Sequence, residues 1–196
     1  MPNPNPAPAP HHRVCPWWLG YLLASPLRKL AYRPATLLAP HVRPGMTVLE
    51  PGPGMGFFTL DLARLVGRSG RVIAIDIQPR MLHRLRRRAA KAGVGGSLDA
   101  RLAAPDSLGL ADLAGAVDFT LAFAMVHELP SAAGFFREVA AASKPGARLL
   151  VAEPAGHVTP SAFEAELQVA REAGFTLVES PTVRGNHAAL LERAAS

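Results

Sequence analysis

Apolar runs of strand length recur along this chain at Thr47–Glu50, Val72–Asp76, Leu98–Leu102, Phe119–Phe123 and Arg148–Glu153. Helical patterns stand among and after them, at Gly56–Val66, Pro79–Ala92, Ala132–Ala142 and Ser161–Ala173, while the link from Leu108 to Gly115 has room for only a short helix. Strands that are apolar on every residue must be covered on both faces, and strand–helix alternation supplies that cover. The expected fold is therefore α/β, with a doubly wound, mostly parallel sheet. Two further runs, Phe175–Glu179 and Ala188–Glu192, follow, with a short loop between them. A parallel crossover needs about a dozen residues or more, so this pair is expected to be antiparallel. Residues 43–196 read as one domain, preceded by a helical lid segment over 13–42 and a Pro-rich tail over 1–12. The tail can bury nothing and is expected to be disordered.

With 196 residues, of which 49% are hydrophobic, the chain can build a continuous core. A lone cysteine excludes an internal disulfide framework and suits a reducing compartment. The formal charge of +6 comes from an excess of arginine, densest at Arg80, Arg84, Arg87, Arg88 and Lys91, along one side of a helix. That stripe reads as a solvated face. No aromatic residues interleave with it as they do where bases stack, so nucleic acid is disfavoured as a partner. The apolar run Trp17–Ala24 is far too short to span a bilayer, and its tryptophans are unlike the core of a signal peptide. The expectation is a cytoplasmic protein without a membrane span; a homodimer is compatible with the sequence.

In an open α/β sheet, ligands bind beyond the carboxyl ends of the strands. Polar residues gather at that rim: Glu50 and the glycines after the first strand, Asp76 after the second, His127 and Glu128 after the fourth, Glu153 and His157 after the fifth. The first strand runs into Glu50-Pro51-Gly52-Pro53-Gly54-Met55-Gly56, a turn whose bare backbone lets a nucleotide-like molecule approach closely. Asp76 is placed to accept both hydroxyls of a ribose, and Ile77 to lie against a purine. A dinucleotide fingerprint counted from Gly52 would put its last small residue at Phe57, which is too bulky. An acid two residues before the first glycine would also repel a pyrophosphate, whereas it suits the ammonium group of a methionine moiety. The spacing favours S-adenosylmethionine over a nicotinamide cofactor.

At these residues the chain resembles the class I methyltransferases, over roughly residues 40–193. The resemblance is carried by Val48–Gly56, Val72–Asp76, Asp118–Phe123 and Lys144–Val151. The last is similar to the K-P-G-G-x-L turn of a small-molecule branch related to ubiquinone- and menaquinone-biosynthesis methyltransferases. The resemblance implies a seven-stranded Rossmann-like sheet with a reversed last strand. It also implies S-adenosylmethionine as cofactor, held by Glu50, Gly52, Gly54 and Asp76; Gly56, Ile77, Ala104 and Phe123 complete the expected donor site. Many members carry an acid after strand three for the adenine amino group. Here Ala103-Ala104-Pro105 stand there, which leaves that contact to backbone, to Asp106 or to nothing.

On the acceptor side, His127 stands where a general base for a phenol, hydroxyl or thiol would stand, with Glu128 as its candidate orienting partner. His157, Cys15 and Trp18 complete the expected pocket for a small-molecule acceptor. No metal site is assigned, although Cys15, His127 and His157 together would form a soft S/N set for a thiol, metal or metalloid acceptor. The rival readings are a nucleic-acid methyltransferase, a nicotinamide oxidoreductase and a non-catalytic sensor of the cofactor.

Overall fold

The computed structural model describes residues 34–195. The Pro-rich tail and most of the expected lid, including Cys15 and Trp18, lie outside the described residues.

The strands are β1 (Thr47–Pro51), β2 (Arg71–Asp76), β3 (Leu98–Leu102), β4 (Val117–Phe123), β5 (Ser143–Pro154), β6 (Phe175–Glu179) and β7 (Asn186–Arg193). The helices are α1 (Pro34–Leu38), α2 (Thr59–Val66), α3 (Pro79–Lys91), α4 (Ala132–Ala142) and α5 (Pro160–Glu172). One seven-stranded sheet runs β3-β2-β1-β4-β5-β7-β6. Its β1, β2, β3, β4 and β5 pair parallel, whereas β7 runs antiparallel to both β5 and β6. The strand order reverses between β1 and β4. There the crossovers leave in opposite directions and open a crevice at the carboxyl ends.

Alternation along each strand sends side chains to two cores. Leu49, Ile73, Ile75, Leu149 and Val151 pack with Phe135, Phe136 and Val139 of α4 and Phe163 and Leu167 of α5. Val48, Val72, Phe119, Leu121 and Leu150 pack on the other face with Leu62 and Val66 of α2. On that same face Ala74 meets Leu82 and Leu85 of α3. Each large side chain so buried stabilises the fold by about 1.5–3 kcal/mol, and the two-sided burial explains why the central strands carry no polar stripe. Helix starts follow local chemistry: Ser131 caps α4 by accepting from the Gly134 N–H at 3.0 Å, and Thr159 caps α5 by accepting from Ala162 at 3.2 Å.

Two boundaries differ from expectation by three residues or more. Gly56 was expected inside the first helix, but its φ of 82° is left-handed, so α2 begins only at Thr59. The fifth strand begins at Ser143, not Arg148, because Ser143 pairs with Val117 and a register shift carries the Lys144–Ala147 segment along with the strand. Of the expected lid, the described residues 34–42 sink Leu38 and Val42 into the α2-side core, and none of them lines the crevice.

Candidate active site

The crevice is a cavity of about 810 Å³ at the carboxyl rim. Glu50, Asp76, Ile77, Ala104, Phe123, His127, Glu128 and His157 all line it, together with Gly52 and Gly54. Gly56 does not. A side chain there would meet Leu85 Cδ1 at 2.4 Å, so this glycine lets α3 approach the turn. Gly52 is packed against Met125, at 3.1 Å from where its Cβ would be, while Gly54 would meet nothing within 4 Å. The bare backbone facing open space is thus at Gly54.

Glu50 ends β1 almost completely buried, and its Oε2 has no hydrogen-bond partner. Burial pushes its carboxyl up to about 8; the Thr59 hydroxyl works against that rise and the Asp76 charge adds to it. Glu50 is therefore not the standing negative charge expected from the sequence. Raised to about 8, it holds its proton near neutral pH. Asp76, at the end of β2, is raised to about 6, mainly by burial and against hydrogen bonds from the backbone of Gln78, Gly54 and Ile77. The Gln78 N–H lies 2.8 Å from its Oδ1.

Across the rim, β4 ends in a tight turn. Ala124 has φ 55°, the only left-handed non-glycine among the described residues, a conformation that costs roughly 1–2 kcal/mol for an L-residue. The turn aims the N–H groups of Met125 and Val126 at Oε1 of Glu153, at 3.2 and 2.8 Å. The other oxygen of Glu153 is in short contact with Nδ1 of His127. The orienting partner of His127 is therefore Glu153 on the neighbouring strand, not Glu128. Adjacent residues on a turn cannot bring their side chains face to face, whereas neighbouring strand ends can. The Glu153 hydrogen bond raises the His127 pKa above its ordinary value, against the effect of burial. With the Nδ1 proton engaged, the lone pair resides on Nε2. The His157 ring stands edge-on to His127 at 5.7 Å between centroids. Among the described residues no three His, Cys, Asp or Glu side chains are grouped to hold a metal ion.

The methyltransferase-domain family model matches residues 43–186. The chain belongs to this family. The methyltransferase is 34% identical over 113 residues to the ubiquinone/menaquinone biosynthesis C-methyltransferase UbiE of Klebsiella pneumoniae, a match covering 57% of this chain and 44% of that protein. It is 38% identical over 69 residues to a probable cobalt-precorrin-6B C(15)-methyltransferase of Saccharolobus solfataricus, covering 35% of each. These matches span less than half the length of either protein. In fold, the methyltransferase superposes on a SAM dependent methyltransferase from Aquifex aeolicus with a TM-score of 0.81 at 24% identity, covering 91% of this chain and 98% of that one.

The methyltransferase also holds acids that were given no role from its sequence, Glu153 having been read only as a rim residue. Glu153 repeats, in Val151-Ala152-Glu153-Pro154, the V-x-E-P pattern of Val48-Leu49-Glu50-Pro51, and that repetition was the available signal. Glu166 on α5, half-buried, is raised to about 7 by burial and then by the Glu153 charge; no local pattern announces it.

Proposed function

We propose that this methyltransferase moves the methyl group of S-adenosylmethionine to a protic atom of a small, uncharged molecule, with His127 accepting the proton. What carries the reading is one juxtaposition. A buried carboxylate with an unpartnered oxygen, beside a bare glycine backbone, shares a crevice with an imidazole anchored by a second buried carboxylate.

The donor's ammonium group pairs with Glu50, its amino-acid portion lies over Gly52 and Gly54, and Asp76 accepts from its ribose. The base continues outward past Ile77 toward the Ala103–Leu108 segment, because β2 and β3 stand successively farther from β1. S-adenosylmethionine supplies an electrophilic methyl carbon on a positively charged sulfur. The titratable side chains lining the cavity among the described residues, besides the two histidines, are Glu50, Asp76, Asp106, Glu128 and Glu138, with no lysine or arginine. That set favours a cationic donor and disfavours an anionic acceptor, although the whole chain carries +6. Phe57, Phe123, Leu129 and Phe135 give the remaining wall an apolar character.

His127 Nε2 removes the acceptor's proton as its oxygen, sulfur or nitrogen attacks, and Glu153 holds the resulting imidazolium. The rest of the acceleration comes from holding nucleophile and methyl carbon in line in a site that excludes water. A reducing, cytoplasmic setting fits the same reading. Calorimetric titration with S-adenosylmethionine and S-adenosylhomocysteine tests the donor, and mass spectrometry of cell extract incubated with labelled donor identifies the acceptor. Micromolar binding and a labelled small molecule are expected. Binding of NADH in preference to either ligand would overturn the donor assignment, and label appearing only in nucleic acid would overturn the acceptor class.

A further inference from the structure

The segment after β3 carries no acid at its first three positions, Ala103-Ala104-Pro105, and Ala104, Pro105, Asp106 and Ser107 are all exposed. Its two ends, Ala103 and Leu108, pack on the core and Ala104 pairs with Ser107, but the turn between them has no apolar anchor of its own, and Ala103 through Leu108 line the donor end of the cavity. At its start the Ala103 N–H donates to the Asp76 carbonyl at 3.1 Å. At its end a single side chain from α4 gathers it in. The Glu138 carboxylate accepts from Ser107 Oγ at 3.1 Å, from the Leu108 N–H at 3.0 Å and from the Gly109 N–H at 3.2 Å. Ser107 Oγ in turn accepts from the Gly109 N–H at 3.1 Å. Glu138 itself reaches the cavity wall.

We propose that Glu138 is a positioning residue for the donor: its carboxylate pins the Ala103–Leu108 segment so that backbone groups of that segment read the edge of the adenine base. The inference rests on the donor reading above and adds the recognition of the base. Two consecutive N–H groups aimed at one carboxylate hold the peptide planes before them at a fixed tilt. The Pro105 carbonyl and the N–H of Asp106, at the tip of the turn that Ala104 and Ser107 close by pairing with each other, are then presented to a planar ligand in one orientation. A backbone edge of this kind distinguishes an amino group from a carbonyl on the base as well as a side chain does, provided the segment does not move.

The experiment measures calorimetric affinity for S-adenosylhomocysteine and for its deaminated counterpart S-inosylhomocysteine, in the parent and in Glu138→Ala, Glu138→Gln and Ser107→Ala. The parent should prefer the adenosyl ligand about tenfold or more. Glu138→Ala should weaken adenosyl binding roughly tenfold and bring the preference close to unity, while kcat at saturating donor changes less than about twofold. Glu138→Gln, which keeps one acceptor oxygen, and Ser107→Ala, which removes the two exposed hydrogen bonds of Ser107 Oγ, should fall between. Parent-like affinity and preference in Glu138→Ala, or equal weakening toward both ligands, would overturn the proposal while leaving the donor assignment standing. A parent that binds neither ligand overturns both.

Discussion

Replacing Glu50 with glutamine should make the protein more tolerant of alkaline pH while damaging its function, and the structure sets the size of the effect. In the fold this carboxyl titrates near 8, against about 4.5 ordinarily. Between those values the folded chain holds a proton that the unfolded chain has released, so stability falls as pH rises through this window. At pH 7 the gap above the ordinary value is about 2.5 pH units, which at about 1.4 kcal/mol each costs the fold roughly 3 kcal/mol. Glutamine does not titrate, so that slope vanishes in the variant. Its amide brings new donors into a buried position, and a donor left unpaired there costs about 1–3 kcal/mol at every pH and leaves the slope unaffected. Urea unfolding followed by circular dichroism at pH 5 and pH 8 should show the parent losing about 3 kcal/mol more than Glu50→Gln over that interval, or roughly 6–12 °C in Tm. Titration with S-adenosylmethionine at pH 7 should release close to one proton in the parent, with affinity rising from pH 6 to pH 8. The variant should bind at least tenfold more weakly without that proton release. Equal pH slopes in the two proteins, or equal proton release, would refute the reasoning.

His127→Ala should lower kcat/KM by about 10²–10⁴ while donor affinity stays within twofold, read from steady-state kinetics and calorimetry. The rate of the parent should fall below a pKa higher than that of ordinary imidazole; in Glu153→Gln that acidic limb should move to lower pH, because the Glu153 contact is the largest cause of the rise. Asp76→Asn keeps the hydrogen bond from Gln78 but halves the accepting capacity toward a ribose, so donor affinity should drop about tenfold with the fold retained in circular dichroism. Gly56→Ala should destabilise by about 2–4 kcal/mol in urea unfolding, from a left-handed φ and a clash with Leu85, and Gly54→Ala by less.

How far the sequence could be read depended on whether a feature was local. Strand and helix positions were legible because apolar runs and helical spacing are properties of a few consecutive residues, and the antiparallel β6–β7 pair followed from loop length alone. The rim residues Glu50, Asp76, His127 and His157 were legible because the carboxyl end of every parallel strand faces one side. Three things were not legible. The left-handed φ of Gly56 moved the start of α2 three residues onward. The partner of His127 proved to be on the adjacent strand, Glu153 lying 26 residues away in sequence, and nothing in either local stretch says which strands will be neighbours. The Glu138 contacts to Ser107–Gly109 bridge about 30 residues for the same reason. Gly56 also shows that a glycine in a glycine-rich turn can be there for the helix behind it.

The two V-x-E-P acids show how one local pattern yields two roles. Both side chains are buried at the carboxyl end of a parallel strand, Glu50 3% exposed and Glu153 not at all. They leave the sheet on opposite faces: Glu50 follows Val48 toward α2, and Glu153 follows Leu149 and Val151 toward α4 and α5. Glu153 meets the strained turn at Ala124, which delivers two N–H groups and an imidazole, so its demand for donors is satisfied within the chain. Glu50 has the Thr59 hydroxyl nearby and keeps an unpartnered oxygen. A buried carboxylate left short of donors is costly, and it persists where something outside the chain completes it. The satisfied acid therefore orients a side chain, and the unsatisfied one is free to take the role that the proposed function gives it. That difference, set by what the next loop supplies, is why the proposed function puts the donor at the β1 end of the crevice and the proton at the β4–β5 end.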